Sequence, residues 1–479
     1  MADYRLGLRT LDEEVTTTLP VEGSLPPWLS GTLFVNGPGR FDGGEDALNH
    51  WFDGLAMLRR FEIEDGTVAY ANRFLRSEEY EHVVSRNRLA RGQFGTNPDL
   101  SLRDRLGWLT GPTLTDNASI GVDWVGGEFV AVTETPRQVA FDPETLATRG
   151  TRTFADALDV TGTLGHPHWD PVRDEMVNVG VRYGPRSEYV LHRRDRGSAT
   201  REELGRVGVD RPAYFHSFAL TERYAVLAEP PLVLSPCALL AGRPFVESFE
   251  WVPERGTRFT VFDRQTGRVV ARPVADPFFV FHHANAYEAG DTLVVDLVAY
   301  EDASAVSDLS LSRLRDPDAE LPAGEFRRYR ISLGAMGATV ESETLHPGPV
   351  EFPTIDYRGH NTRPYRYAYF AGNRERPPTT TQDRLLKVDI EAGEEVASWA
   401  ESGCYPGEAL FVPDPDGAAE DAGALLSVVL DADAERSFLL VLDARTLDGL
   451  ARAPLPHALP FGFHGQFVRD LADPTRSMA

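Results

Sequence analysis

The chain has 479 residues, a formal net charge of −25 and 42% hydrophobic residues, with 42 glycines and 34 prolines. So acidic a surface excludes nucleic acid as a partner, because a phosphate-binding face must be basic. The apolar share suffices for a large core, and the glycine and proline supply turns for a many-stranded protein.

The start, MADYRLGLRTLDEEV, lacks the basic and apolar regions of a signal peptide. Short β-type runs then follow one another: GTLFVNG (31–37), MLRRFEI (57–63), TVAYANRF (67–74), EFVAVTE (128–134) and EYVLHRR (188–194). YAVLAE (224–229), RFTVFDR (258–264), TLVVDLVAY (292–300), YRYAYFAG (365–372), LLKVDI (385–390), LLSVVLDA (425–432) and SFLLVLDA (437–444) continue the series. This spacing predicts an all-β sandwich, barrel or propeller. Four runs carry one hairpin signature: VAFDPETLA (139–147), TVFDRQTGR (260–268), KVDIEAGEE (387–395) and LVLDARTLD (440–448). Its recurrence suggests hairpins at equivalent places in a propeller.

Short helices are expected within 88–106 and 303–316, and the apolar run 231–242 reads as a buried loop or short helix. No linker or low-complexity stretch divides the chain, so one domain spanning 1–479 is the simplest expectation. No window reaches 18 uncharged apolar residues, so no transmembrane helix is expected. Cys237 and Cys404 are too few for a disulfide framework, which fits a reducing cytoplasm. Lys387 is the only lysine. The acidic, lysine-poor composition suggests salt adaptation, since screening relieves self-repulsion; a genome that favours arginine codons is the alternative.

Four histidines stand in distinctive motifs: His166 in GHPHWDP, His216 in YFHSFALTE, His282 in FFVFHHANAYE and His464 in LPFGFHGQF. They span about 300 residues, so only a fold that brings similar elements round one axis unites them. Neutral imidazoles without thiolate suit iron, zinc or copper. His168 and His283 lie beside two of them, and spacing alone does not exclude His168 as a ligand.

Together with HWFDGLAML, TDNASIGV, EFVAVTETP, FDPETL, VEFPTIDY and YPGEALFVPDP, these motifs make the chain resemble the carotenoid cleavage oxygenases. The resemblance runs from GTLFVNGPG (31–39) to GFHGQF (462–467). It implies a seven-bladed β-propeller with a cap of loops and short helices over one face. At about 68 residues per blade, the chain exceeds simple propeller repeats, and the surplus would form the cap.

By resemblance, His166, His216, His282 and His464 hold iron(II). Glu134, Glu351 and Glu408 hold the outer ring nitrogens of His216, His282 and His464, leaving His166 without a carboxylate. His50 is a landmark that holds a strand crossing. Thr133 matches a threonine near the open coordination position, and no catalytic residue beyond the iron centre is implied. The implied reaction is cleavage of a carotenoid or apocarotenoid alkene by dioxygen, giving aldehydes such as apocarotenals or retinal.

Stretches such as NRFLRSEEY, QFGTNPDLS and FPTIDYRGHNTRPYRYAYFAG resemble the animal-type branch. Its lipidated cysteine is absent, the sequence there reading Pro98, Asp99, Leu100, Ser101. Stilbene-cleaving members grip a phenol with lysine and tyrosine, and Lys387 lies far from that segment. A stilbene cleaver, a retinoid isomerohydrolase and a non-enzymatic scaffold are the alternative readings. A cytoplasmic protein handling such a substrate must meet the membrane, and 231–240 with 107–112, including Trp108, are the expected contact.

Overall fold

Each of the β-type runs contains a strand in the computed structural model, which describes residues 3–98, 115–184, 186–235, 238, 241–334 and 337–474. The strands build seven sheets of four or more strands that follow one another along the chain as blades of a propeller. Blade 1 holds residues 16–74, blade 2 residues 121–152, blade 3 residues 162–209 and blade 4 residues 219–275. Blades 5, 6 and 7 span 279–346, 350–399 and 404–454.

The ring is closed by both ends of the chain. Gly465–Val468 pairs with Gly31–Val35 in blade 1, while Glu22–Gly23 pairs with 451–452 at the outer edge of blade 7. Innermost strands such as Phe279–Ala289, Val350–Thr354 and Cys404–Pro413 pack side by side round the axis. Nearly continuous apolar runs follow from this burial on both faces: Leu293, Val294, Val295, Leu297 and Val298 in blade 5 are all fully buried.

The four recurring hairpins join the third and fourth strands of blades 2, 4, 6 and 7. Their chemistry repeats. Asp142, Asp263, Asp389 and Asp443 each accept backbone N–H bonds from the following turn through Oδ1. The residue four positions on closes each turn with an N–H bond back to the aspartate carbonyl at 2.8 Å. That residue has positive φ in every case: Leu146 58°, Gly267 68°, Gly393 70° and Leu447 60°. A left-handed residue after an Asx turn reverses the chain, and a bulge in the returning ladder absorbs the extra residue.

The helices differ in part from expectation. Ser304–Ser307 and Leu311–Leu314 fall inside 303–316, but the described part of 88–106 contains no helix. The helix there is Glu78–Arg86, with Ser77 capping the Tyr80 N–H, three glutamates in the first turn and Asn87 left-handed at its end. Those caps were readable in SEEYEHVVSRN; the arginine-rich stretch after it lacks them.

The apolar run at 231 is neither loop nor helix at its start. Leu232–Leu234 forms a strand paired with Phe249–Trp251, and all three residues are buried. Leu232, Val233 and Leu234 are covered by protein and so offer no side chain to a membrane. Pro236, Cys237, Leu239 and Leu240 lie outside the described residues, as do 107–112.

Candidate metal centre

The seven blades each deliver one ionisable side chain to the hub. His464 precedes the inner strand of blade 1, Glu134 follows Glu128–Val132 of blade 2, and His166 precedes His168–Asp170 of blade 3. His216 precedes the first strand of blade 4, and His282, Glu351 and Glu408 lie on the inner strands of blades 5, 6 and 7. The last three sit in or beside register shifts, between Val280 and His283, Glu351 and Thr354, and Pro406 and Ala409. Bulges re-aim side chains that strict alternation would send sideways. His464 is fixed by its backbone, its N–H bonding the Ile120 carbonyl and its carbonyl accepting from Asn36.

The four imidazoles converge. One ring nitrogen from each lies within 4.8 Å of all the others. Nε2 of His166 is 2.9 Å from Nε2 of His216, and Nε2 of His282 is 3.2 Å from Nε2 of His464. Ligands at roughly 2.1 Å from one ion stand about 3.0 Å apart at right angles and about 3.4 Å apart in a tetrahedron, so the spacing suits a metal. Burial, then the neighbouring imidazoles, hold His166 well below the ordinary histidine value. His282 is likewise lowered by burial, against the pull of Glu351. Neutral rings are the form that offers lone pairs.

Three of the four outer nitrogens face carboxylates. Nδ1 of His216 lies 2.5 Å from Glu134, that of His282 2.7 Å from Glu351, and that of His464 2.9 Å from Glu408. His166 has no carboxylate partner among the described residues. A carboxylate on Nδ1–H fixes the tautomer and turns the Nε2 lone pair inward. Each glutamate is itself anchored, by donors the sequence did not reveal. The Tyr214 hydroxyl donates to Glu134 at 3.2 Å, that of Tyr300 to Glu351 at 2.9 Å, and the Gly465 N–H to Glu408 at 2.8 Å. Burial would raise the Glu351 carboxyl, yet His282, the Phe352 N–H and Tyr300 together hold it below the usual carboxylate range. Tyr214 stands two residues before His216 and Gly465 directly after His464, inside the two histidine motifs, whereas Tyr300 has no such neighbour.

The other candidate histidines are occupied elsewhere. His168 bonds the Tyr357 hydroxyl through Nδ1 and the Phe218 carbonyl through Nε2. His283 bonds the Ser217 hydroxyl through Nδ1. His50 reaches the Val306 carbonyl at 2.9 Å and caps the turn Trp51–Asp53, tying the crossing at 49–53 to the blade 5 excursion.

A cavity of about 560 Å³ leads to the cluster. Trp51, Phe52, Phe281, Phe352 and Phe463 line it beside His216, His282 and His464, and Thr133 is also on its wall. Asp159, Arg182, Tyr183, Thr380, Thr381 and Gln382 also line the cavity. Lys387 is not on this wall; it is buried in blade 6 with Nζ 2.6 Å from Asp421.

The family model described as retinal pigment epithelial membrane protein matches residues 8–469. The chain belongs to the carotenoid oxygenase family. It is 32% identical to the mitochondrial carotenoid-cleaving dioxygenase of Mustela putorius furo over 94% of this chain and 93% of that protein. It is 34% identical to the carotenoid isomerooxygenase of Galleria mellonella, covering 97% of this chain and 96% of the other. Among solved structures, a Glu150Gln variant of Synechocystis apocarotenoid oxygenase superposes with a TM-score of 0.86 at 29% identity, covering 98% of each chain.

Proposed function

We propose that the protein is a non-haem iron(II) dioxygenase that cleaves an alkene bond of a carotenoid or apocarotenoid to aldehydes. The observation that carries this reading is the convergence of four imidazoles, three backed by glutamates, on the wall of a cavity lined by Trp51, Phe52, Phe281, Phe352 and Phe463. The relatives bear names of the same activity, including the β,β-carotene 15,15'-dioxygenase of Rattus norvegicus at 31% identity.

His166, His216, His282 and His464 are the ligands in this reading, a donor set of four neutral nitrogens that fits a divalent borderline metal. Bound there, iron(II) supplies open coordination positions at which dioxygen is activated toward an alkene. Glu134, Glu351 and Glu408 offset the ion's charge and fix the ring planes, which keeps the open positions in one place. The substrate offers no strong ligand, so its position is set by shape: Phe52, Phe281, Phe352 and Phe463 confine the polyene and exclude water. Thr133 is on the cavity wall next to Glu134 in the chain and would stand near an open coordination position of the bound ion.

A stilbene substrate is disfavoured by the position of Lys387, whose ammonium is consumed by Asp421 and by the face of Tyr367 at 4.1 Å. Among the described residues no helix is long and apolar enough to cross a membrane. The test is incubation of anaerobically iron-loaded protein with oxygen and a panel of detergent-dispersed carotenoids, apocarotenals and stilbenes. Aldehyde fragments from a carotenoid or apocarotenoid are expected. Cleavage of stilbenes alone would overturn the substrate assignment.

A further inference from the structure

Among the described residues three tyrosines line the cavity, and two of them have their hydroxyls engaged: Tyr214 donates to Glu134 and Tyr300 to Glu351. The third, Tyr183, stands in the turn between the strands Glu175–Arg182 and Ser187–Asp195 of blade 3. Its hydroxyl bonds no other described residue. Tyrosines inside proteins ordinarily find a partner for that group.

The ring itself is held in place. The Tyr183 N–H donates to the Thr161 hydroxyl at 2.9 Å, and that hydroxyl donates to the Val181 carbonyl at 3.1 Å. One edge of the ring lies over Gly162, where a Cβ would stand 3.2 Å from Cε2. Phe245 meets it edge-on, with ring centroids 5.8 Å apart. Burial, with the Glu134 charge adding to it, raises the phenol above its ordinary value, so the hydroxyl keeps its proton. The neighbouring cation is already engaged: Arg182 reaches Glu188 at 2.9 Å and Asp159 at 3.7 Å. Tyr183 is therefore a positioned donor on the cavity wall without an acceptor in the protein.

Such a donor discriminates between ligands. Solvent satisfies it before a ligand enters. A hydrocarbon end that displaces the solvent strands the hydroxyl, whereas a ligand oxygen takes over the bond. A site built to hydrogen-bond its substrate rejects the analogue that lacks the polar group far better than an apolar wall rejects an added one.

We propose that Tyr183 is a specificity-determining residue: the polyene carries a hydroxyl or carbonyl oxygen at the end that lies against blade 3, and that oxygen accepts from the Tyr183 hydroxyl. This rests on the polyene-cleaving function proposed above and adds the end group that the cavity selects.

The test reads binding as well as turnover. Two matched pairs serve as probes: an apocarotenal with the hydrocarbon of the same chain, and β-carotene with its 3,3'-dihydroxy derivative. Affinity for the metal-free protein is followed by quenching of tryptophan emission, Trp51 lying on the cavity wall. Tyr183→Phe should weaken an oxygenated probe about 10-fold more than its hydrocarbon partner, the scale of one lost hydrogen bond. The same selective loss should appear in kcat/KM of the iron-loaded protein. Equal losses within both pairs, or none, overturn the proposal. The variant lacks only an atom that bonds nothing in the protein, so its Tm should match the wild type. A Tm lower by about 4 °C or more would reveal a structural partner for the hydroxyl and overturn it too. Selective binding by a wild type that cleaves no probe would count against the proposed function and leave the role of Tyr183 intact.

Discussion

Two sets of histidines share the same short stretches of the hub and meet different ends. His166 and His168 are two residues apart, and His282 and His283 are neighbours, yet only the first of each pair turns its Nε2 toward the common centre. The difference lies in what holds the rest of the ring. Three of the inward histidines give Nδ1 to a carboxylate, whereas His168 and His283 bond a tyrosine and a serine hydroxyl. A neutral hydroxyl is enough to place a packed ring. A charged acceptor is what makes Nε2 a better donor to a cation, so the carboxylates mark the functional set more reliably than the histidines do.

The largest expected effect tests that division directly. His464→Ala or His282→Ala should leave protein that retains no stoichiometric iron after anaerobic loading and shows no cleavage, while His168→Ala and His283→Ala should hold metal near the wild-type level. Metal analysis of the four purified variants checks it. Wild-type iron content in His464→Ala would contradict the ligand assignment.

Next in size are the anchors. Glu351→Gln keeps the shape but loses the charge on His282, and should weaken metal retention by about 10- to 100-fold. Tyr300→Phe removes one donor to Glu351 and leaves its bond to His282, so a smaller loss is expected. Competition with a metal chelator ranks the two. If Tyr300→Phe proved the worse, the carboxylate would not be the group that orients His282.

The sequence made the inward set legible because each histidine sits in a motif of its own, and the strands were legible because blades buried on both faces read as apolar runs. The glutamates were recoverable only by resemblance: Glu351 and Glu408 owe their aim to bulges at 351–354 and 406–409, which alternation does not announce. Tyr300 was invisible, being simply the last residue of the strand Thr292–Tyr300 until the neighbouring blade brings Glu351 to its hydroxyl. The helix Glu78–Arg86 lies just before the 88–106 stretch where one is expected, and its caps, Ser77 and Asn87, are written in the chain.

The outward histidines set the acid limit instead of the metal. Burial lowers His168 and His50 to about 4 and His283 and His192 to about 3, all from an ordinary value of 6.5. Between those values the unfolded chain binds protons that the folded one does not, so stability rises with pH there and is lost as pH falls from about 6.5 toward 3. Each contributes a slope of about 1.4 kcal/mol per pH unit. Both ring nitrogens of His192 lack a partner, so His192→Leu removes a titrating group with little lost bonding. Urea unfolding at pH 6.5, 5.5 and 4.5 should show a shallower decline for the variant than for the wild type, and parallel lines would refute the assignment of His192 as a buried neutral ring.

The smallest effect on the metal, and the sharpest on the comparison, belongs to Ser217. It is the neighbour of His216, one of the four proposed ligands, yet its hydroxyl serves the other set, donating to the Phe281 carbonyl at 2.6 Å and accepting from His283 at 2.7 Å. Since His283 Nε2 has no partner, Ser217→Ala would leave that ring with no side-chain hydrogen bond at all and the Phe281 carbonyl without this donor. The expected loss is about 1–3 kcal/mol of folding stability, the usual consequence of stranding a buried polar group. Iron content should not change, because His216 is held by Glu134 and its backbone by Gly165, neither of which touches the serine. Denaturant unfolding and metal analysis on the same preparation separate the two outcomes. A variant that folds as well as the wild type but loses iron would show that the two histidine sets are one network, and that the carboxylates alone do not define the site.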